Sequence, residues 1–193
     1  MAYDPDINSV FYSYLVLGGD ACTTVFFDAE TTGLSGNAEL LQIGAVGSTS
    51  FSCCLYPDKG IPDRVSEITH IRAVDGLLYC EGKPVISGNH EEGLCAFIDY
   101  LKSFKKVILE GHNVQFDARM VLAAVNHCNT LEDFGAVVAG FSDTLPLLKK
   151  VLPGRKSNAQ SKLVEEVLKD FSNSGHNSHI DALNLKKIVE RYL

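Results

Sequence analysis

The sequence is short of positive charge. Seventeen lysines and arginines stand against twenty-four aspartates and glutamates, a formal net charge of −7 over 193 residues. Proteins that coat nucleic acid, or find it by bulk electrostatics, are basic, so this balance argues against a stoichiometric coat or a sequence-specific binder. It does not argue against an enzyme acting on phosphodiesters, because bound metal ions can supply the charge that faces a phosphate. The six cysteines (Cys22, Cys53, Cys54, Cys80, Cys95, Cys128) contain no CxxC pair, and Cys53 and Cys54 are adjacent, a poor arrangement for zinc ligation. Cys95 lies in the apolar run LCAF, where a free thiol behaves as a small hydrophobe, and reduced thiols are expected. No apolar run is long enough to span a bilayer. The opening MAYDPDINSV carries acids where a signal peptide would carry a positive n-region. A soluble intracellular protein, nuclear or cytoplasmic, with no membrane partner is expected; the sequence sets no oligomeric state. Repeats and low-complexity segments are also lacking.

What is present reads as one compact domain, with 46% hydrophobic and 21% charged residues. Val10–Leu17 is apolar and aromatic, a strand or packing arm, and residues 1–20 form an extension of uncertain role ahead of a domain over 21–193. Thr23–Phe27 is a short continuous apolar run that suits a buried strand, ending in DAETTGL with Gly33 marking a turn. Leu40–Val46 and Ser50–Tyr56 read as two further strands, so a meander opens the domain. A short helix is expected near Val65–Ile71. Leu94, Phe97, Ile98, Leu101 and Phe104 recur with the spacing of an amphipathic helix. Lys106–Glu110 reads as a strand, Phe116–Asn126 as a helix, and Leu163–Phe171 and Ile180–Leu193 as two more helices separated by a polar break. Strands first, then helices and strands in alternation, predict an α/β fold with a mixed sheet flanked by helices.

Three short segments carry chemistry. In Asp28-Ala29-Glu30, at the end of a buried strand, residues i and i+2 of extended chain point the same way. Both carboxylates therefore converge, and since two such charges repel, a divalent cation with oxygen ligands, Mg²⁺ or Mn²⁺, is the simple resolution. In Gly111-His112-Asn113-Val114-Gln115-Phe116-Asp117, Asp117 falls at a helix start, where a carboxylate is favoured electrostatically. In His176-Asn177-Ser178-His179-Ile180-Asp181, a histidine in a loop precedes an aspartate on the last helix by five positions.

Taken in order, DxETTGL, HNxxFD and HxxxxD resemble the motif set of the DnaQ-like, or DEDDh, 3′→5′ exonuclease superfamily, over nearly the whole chain from Thr23 onward. Leu40–Val46, Ile68–Ile71 and Asp143–Leu145 are similar to lesser family segments. GFSDTLPLLKKVLPG at 140–154 resembles most the exonuclease-like C-terminal region of the promyelocytic leukaemia protein, in which the acidic positions are degenerate, whereas all four are present here.

The resemblance implies a ribonuclease H-like fold and a metal-dependent 3′→5′ exonuclease. Asp28, Glu30, Asp117 and Asp181 would hold two Mg²⁺ or Mn²⁺ ions about 3.5–4 Å apart, and His176 would be the general base toward the attacking water. The five-residue offset of His176 matches the family, which favours it over the rival His179. Glu30, Thr31, Thr32 and Gly33 would reach the terminal ribose, Leu34 would wedge against the last base, and Asn113 would shape the terminal-nucleotide pocket. The implied partner is the 3′ end of DNA, with release of nucleoside 5′-monophosphates. An RNA substrate, or a non-catalytic interaction domain that kept the fold, are the alternatives. Among the scattered basic residues, Lys149-Lys150, Arg155-Lys156 and Lys186-Lys187 with Arg191, the Arg155-Lys156 pair is placed best to guide a strand.

Overall fold

A computed structural model describes residues 22–168 and 176–192. The strand or arm expected at Val10–Leu17, and the extension it belongs to, lie outside the described residues. The chain opens with an antiparallel meander of β1 (Thr23–Thr31), β2 (Leu40–Val46) and β3 (Ser50–Leu55). β8 (Val107–Gly111) and β9 (Val138–Asp143) then add in parallel on the far side of β1, and the short β7 (Ser87–Gly88) pairs with β3. The result is a six-stranded mixed sheet in the order β7-β3-β2-β1-β8-β9; the sequence pattern predicts a mixed sheet but does not mark β7 or β9.

β1 is longer than the apolar run that announces it. It continues through Asp28 and Glu30 to Thr31, paired with β2 as Asp28 to Gly44 and Glu30 to Gln42, so both acids lie within the strand rather than after it. Alternation along β1 sends Val25 and Phe27 into the main core, with Ala29 packed against it. Burial of one such large side chain is worth about 1.5–3 kcal/mol. α2 (His90–Lys102), α3 (Gln115–His127) and α4 (Leu131–Val137) cover that face through Leu94, Phe97, Leu101, Val121, Val125 and Phe134. α2 begins at a capping box in which Asn89 accepts from the Glu92 N–H at 2.9 Å while the Glu92 carboxylate accepts from the Asn89 N–H at 3.1 Å.

The opposite face, which carries Asp28 and Glu30, is covered by α5 (Thr144–Val151), α6 (Gln160–Val167) and α7 (Ser178–Tyr192). A smaller apolar cluster of Leu148, Leu163, Val164, Val167 and Ile188 joins these three helices. α1 (Asp63–Thr69) lies beside a separate antiparallel sheet of β4 (Ile71–Val74), β5 (Leu77–Cys80) and β6 (Lys83–Val85). This small sheet replaces the irregular segment that the sequence pattern leaves between residues 72 and 88. Among the described residues no helix is long and apolar enough to cross a membrane.

Candidate active site

The last helix comes unusually close to the sheet, and two residues of β2 allow it. A Cβ on Gly44 would overlap the backbone N of His179 and the carbonyl carbon of Ser178, so only glycine admits the first turn of α7 at this distance. The neighbouring Gln42, 4% exposed, accepts a hydrogen bond from the Ser178 N–H at 3.0 Å. The first turn of α7 carries Asp181, and β2 thereby sets it against the two acids of β1.

Carboxylate oxygens of Asp28, Glu30 and Asp181 lie within 4.8 Å of one another, close enough to ligate a single ion. Asp117, in the first turn of α3, is outside that trio but near enough for its charge to act on both Asp28 and Glu30. Burial first, and then the charges of Asp117, Asp181 and Glu30, push the Asp28 carboxyl well above its ordinary range. Burial, with Asp181 and Asp117, pushes Glu30 up to about 8. Burial raises Asp117 to about 7 against its backbone hydrogen bonds, and raises Asp181 against the neighbouring His176. Four acids pushed upward by burial, two of them also by the charges of their neighbours, form a poor structural element. They are well matched to hard divalent cations, whose binding would neutralise the repulsion.

His176 stands at the mouth of this cluster. Its backbone is left-handed (φ 68°) and its N–H donates to Asp181 Oδ2 at 3.1 Å, which ties the loop to the acid on the helix. Together with Asp28, Glu30 and Asp181 it lines a cleft of about 660 Å³; His179 is not among the lining residues. Asn113, also left-handed (φ 58°), lines the same cleft and donates its N–H to Asp143 at 2.8 Å. Leu34 is 82% exposed on the turn after β1, while Thr31 is nearly buried and donates its hydroxyl to the Gly33 carbonyl at 2.8 Å. Thr32 is held by Glu39, whose N–H donates to the Thr32 hydroxyl. Of the residues Thr31 to Leu34, none lines the cleft itself; they follow directly on Glu30, which does, and lead into β2.

Several site residues were not singled out from the sequence. His112 bridges the cleft wall: Nδ1 lies 2.8 Å from the Thr144 hydroxyl and Nε2 lies 2.7 Å from the Asn158 carbonyl. The Asn158 carbonyl can only accept, so Nε2 carries a proton, and burial pushes the His112 pKa down. Asn158, Ala159, Gln160 and Ser161 follow as lining residues, with Leu145 from α5; Lys149, one of the basic residues named from the sequence, lines the cleft as well. Of the basic pair favoured from the sequence, neither residue lines the cleft, and the Arg155 side chain, 15% exposed, pairs with Glu166. Lys186 is bound to the Gly47 carbonyl at 2.6 Å. Gln42 and Gly44 had a visible signal, a polar residue and a glycine inside the otherwise apolar strand LLQIGAV.

No family model matches the chain. The epsilon subunit of DNA polymerase III from Treponema pallidum (strain Nichols) is 32% identical over 136 residues, covering 66% of this chain and 56% of that protein. The PolC-type DNA polymerase III of Clostridium perfringens is 27% identical over 197 positions, covering 88% of this chain and 12% of that one. The chain thus spans only part of the length of the curated relatives it matches. Among solved structures, a zinc-bound complex of Escherichia coli exonuclease I with single-stranded DNA superposes with a TM-score of 0.64 at 16% identity, over 90% of this chain and 40% of that one. The catalytic unit of Neurospora crassa Pan2, with its protease and nuclease domain, superposes with a TM-score of 0.59 at 16% identity, over 90% and 28%. At these identities the structural likeness is one of fold.

Proposed function

We propose that this chain, which in its motifs and fold resembles the DnaQ-like 3′→5′ exonuclease superfamily, is a divalent-metal-dependent exonuclease that trims the 3′ end of DNA to nucleoside 5′-monophosphates. The convergence of Asp28, Glu30 and Asp181 within 4.8 Å at the floor of an open cleft carries this reading. Asp28, Glu30, Asp117 and Asp181 would hold two Mg²⁺ or Mn²⁺ ions. Such ions, when bound, supply positive charge to the scissile phosphate and make water more acidic. His176 would accept the proton of the attacking water, which requires a neutral imidazole. Glu30 and the backbone of Thr31 to Gly33 take the terminal ribose, exposed Leu34 takes the face of the last base, and Asn113 bounds the nucleotide from the opposite side. Apolar contact with a base is indifferent to its identity, which suits general trimming. The finer tie to the exonuclease-like region of the promyelocytic leukaemia protein rests on residues 140–154 and belongs to this proposal, as does an intracellular setting.

The test uses 5′-labelled DNA and RNA oligonucleotides with Mg²⁺, Mn²⁺ or EDTA, alongside Asp28→Ala. A ladder shortening from the 3′ end, metal-dependent and lost in the variant, is expected on DNA. Shortening of RNA alone would move the substrate class; no shortening of either strand would sink the enzyme.

A further inference from the structure

The carboxylates leave a question of charge. Metal ions answer for the phosphate that is cut, but every further phosphate of a bound strand must enter a cleft whose floor is acidic, in a protein of net charge −7. Among the described residues one lysine or arginine lines that cleft, Lys149. It is exposed and makes no ion pair among the described residues. By contrast Arg155, Lys162, Lys102 and Lys186 are each engaged with a carboxylate. Lys149 is close enough to His112, across the wall, for its charge to bear on that ring.

Its placement is fixed by the fold. Asp143 accepts from the Leu145 N–H at 2.9 Å and from the Asn113 N–H at 2.8 Å, which joins the start of α5 to the end of β8. Leu148, next to Lys149, is wholly buried against α6 and α7. The helix is thus anchored at its start and again at the residue before its lysine. In the sheet, β1 lies between β2 and β8. The turn with Thr31 to Leu34 leads into β2, while α5 emerges from β9, so the two rims of the cleft lie on opposite sides of the carboxylates. A strand whose last nucleotide sits on the Leu34 rim must leave over the other rim.

We infer that Lys149, backed by the polar wall of His112, Asn158 and Gln160, is the subsite for the phosphodiester immediately 5′ of the scissile bond, so that the site is built for an oligonucleotide strand rather than for an isolated phosphate ester. This rests on the exonuclease reading above. A lysine ammonium suits the task, since it is a compact point charge that follows a phosphate without demanding one geometry.

The measurement compares kcat/KM on a single-stranded oligodeoxynucleotide with kcat/KM on the p-nitrophenyl ester of thymidine 5′-monophosphate, which has no upstream phosphate. In Lys149→Ala the preference for the oligonucleotide falls about tenfold, the worth of one charge-assisted contact, and the loss lies in KM. The slope of log KM against log salt falls by about 0.7, one phosphate contact on a single strand. Lys149→Arg restores most of the preference, and Lys150→Ala, one residue along on the exposed helix face, matches wild type. An unchanged preference and salt slope in Lys149→Ala would overturn the subsite, as would equal losses on both substrates. A wild-type protein inactive on both substrates would overturn the exonuclease reading itself.

Discussion

The side-chain oxygen of Gln42 holds the backbone N–H of Ser178 across 136 residues of chain. Gln42 sits beside Glu30 in the strand register, and Ser178 begins the helix that carries Asp181. One buried amide therefore sets the spacing between an acid on a strand and an acid on a helix. Gln42→Leu keeps the volume but leaves the buried Ser178 N–H without its partner, at a cost of about 1–3 kcal/mol. The expected result in urea denaturation is a loss in that range, together with weaker Mn²⁺ binding by calorimetry. Full Mn²⁺ affinity in a destabilised variant would reduce Gln42 to a packing residue.

Gly44 makes the complementary prediction. Any side chain there collides with backbone, not with a flexible side-chain tip, so α7 must shift away from β2. Gly44→Ala is expected to cost at least about 1–3 kcal/mol as an overpacking change. It should also lower exonuclease activity well beyond what the remaining folded fraction explains, because Asp181 moves with the helix. A variant as active per folded molecule as wild type would show that the close approach serves packing alone.

How far this was legible from sequence differs by element. The three motifs located the acids because strand ends and helix starts have local signatures, an apolar run before Asp28 and a helical period after Asp117. The partners across the fold had none. Gln42 looks like a stray polar residue in LLQIGAV until the helix 136 residues later is packed on it, and Arg155 looks better placed than Lys149 until Glu166 claims it. The small β4-β5-β6 sheet did have a local sign that went unread. Asp75-Gly76 and Glu81-Gly82 both have positive φ at both residues, and Asp-Gly between apolar runs is a strong two-residue hairpin signal.

Leu34 separates substrate contact from stability. At 82% exposure it contributes little to the core, so Leu34→Ala should leave the melting curve within about 0.5 kcal/mol of wild type. On oligonucleotides KM should rise about three- to tenfold through loss of apolar contact with the terminal base. Steady-state kinetics beside a denaturation curve checks both halves. Lost stability would place Leu34 in the fold instead of on the substrate.

The acid cluster links metal, pH and stability in one experiment. A carboxyl whose folded pKa lies above its unfolded value stabilises the fold at low pH and loses that contribution as pH rises through the folded value. For Glu30 this window runs from the ordinary 4.5 up to about 8, and for Asp117 from 3.8 up to about 7. In EDTA the protein should therefore melt at a lower temperature at pH 8 than at pH 5.5. Mn²⁺ should raise the melting temperature strongly at pH 8 and little at pH 5.5, where protons compete for the same oxygens. At pH 7 metal binding should release protons, seen as a calorimetric heat that varies with the ionisation enthalpy of the buffer. Asp28→Asn removes one of the repelling charges, so in EDTA at pH 8 it should melt above wild type while abolishing metal-dependent cleavage. If that variant melts below wild type in EDTA, the four acids are not held against their own repulsion, and the case for a cation at their centre loses its physical basis.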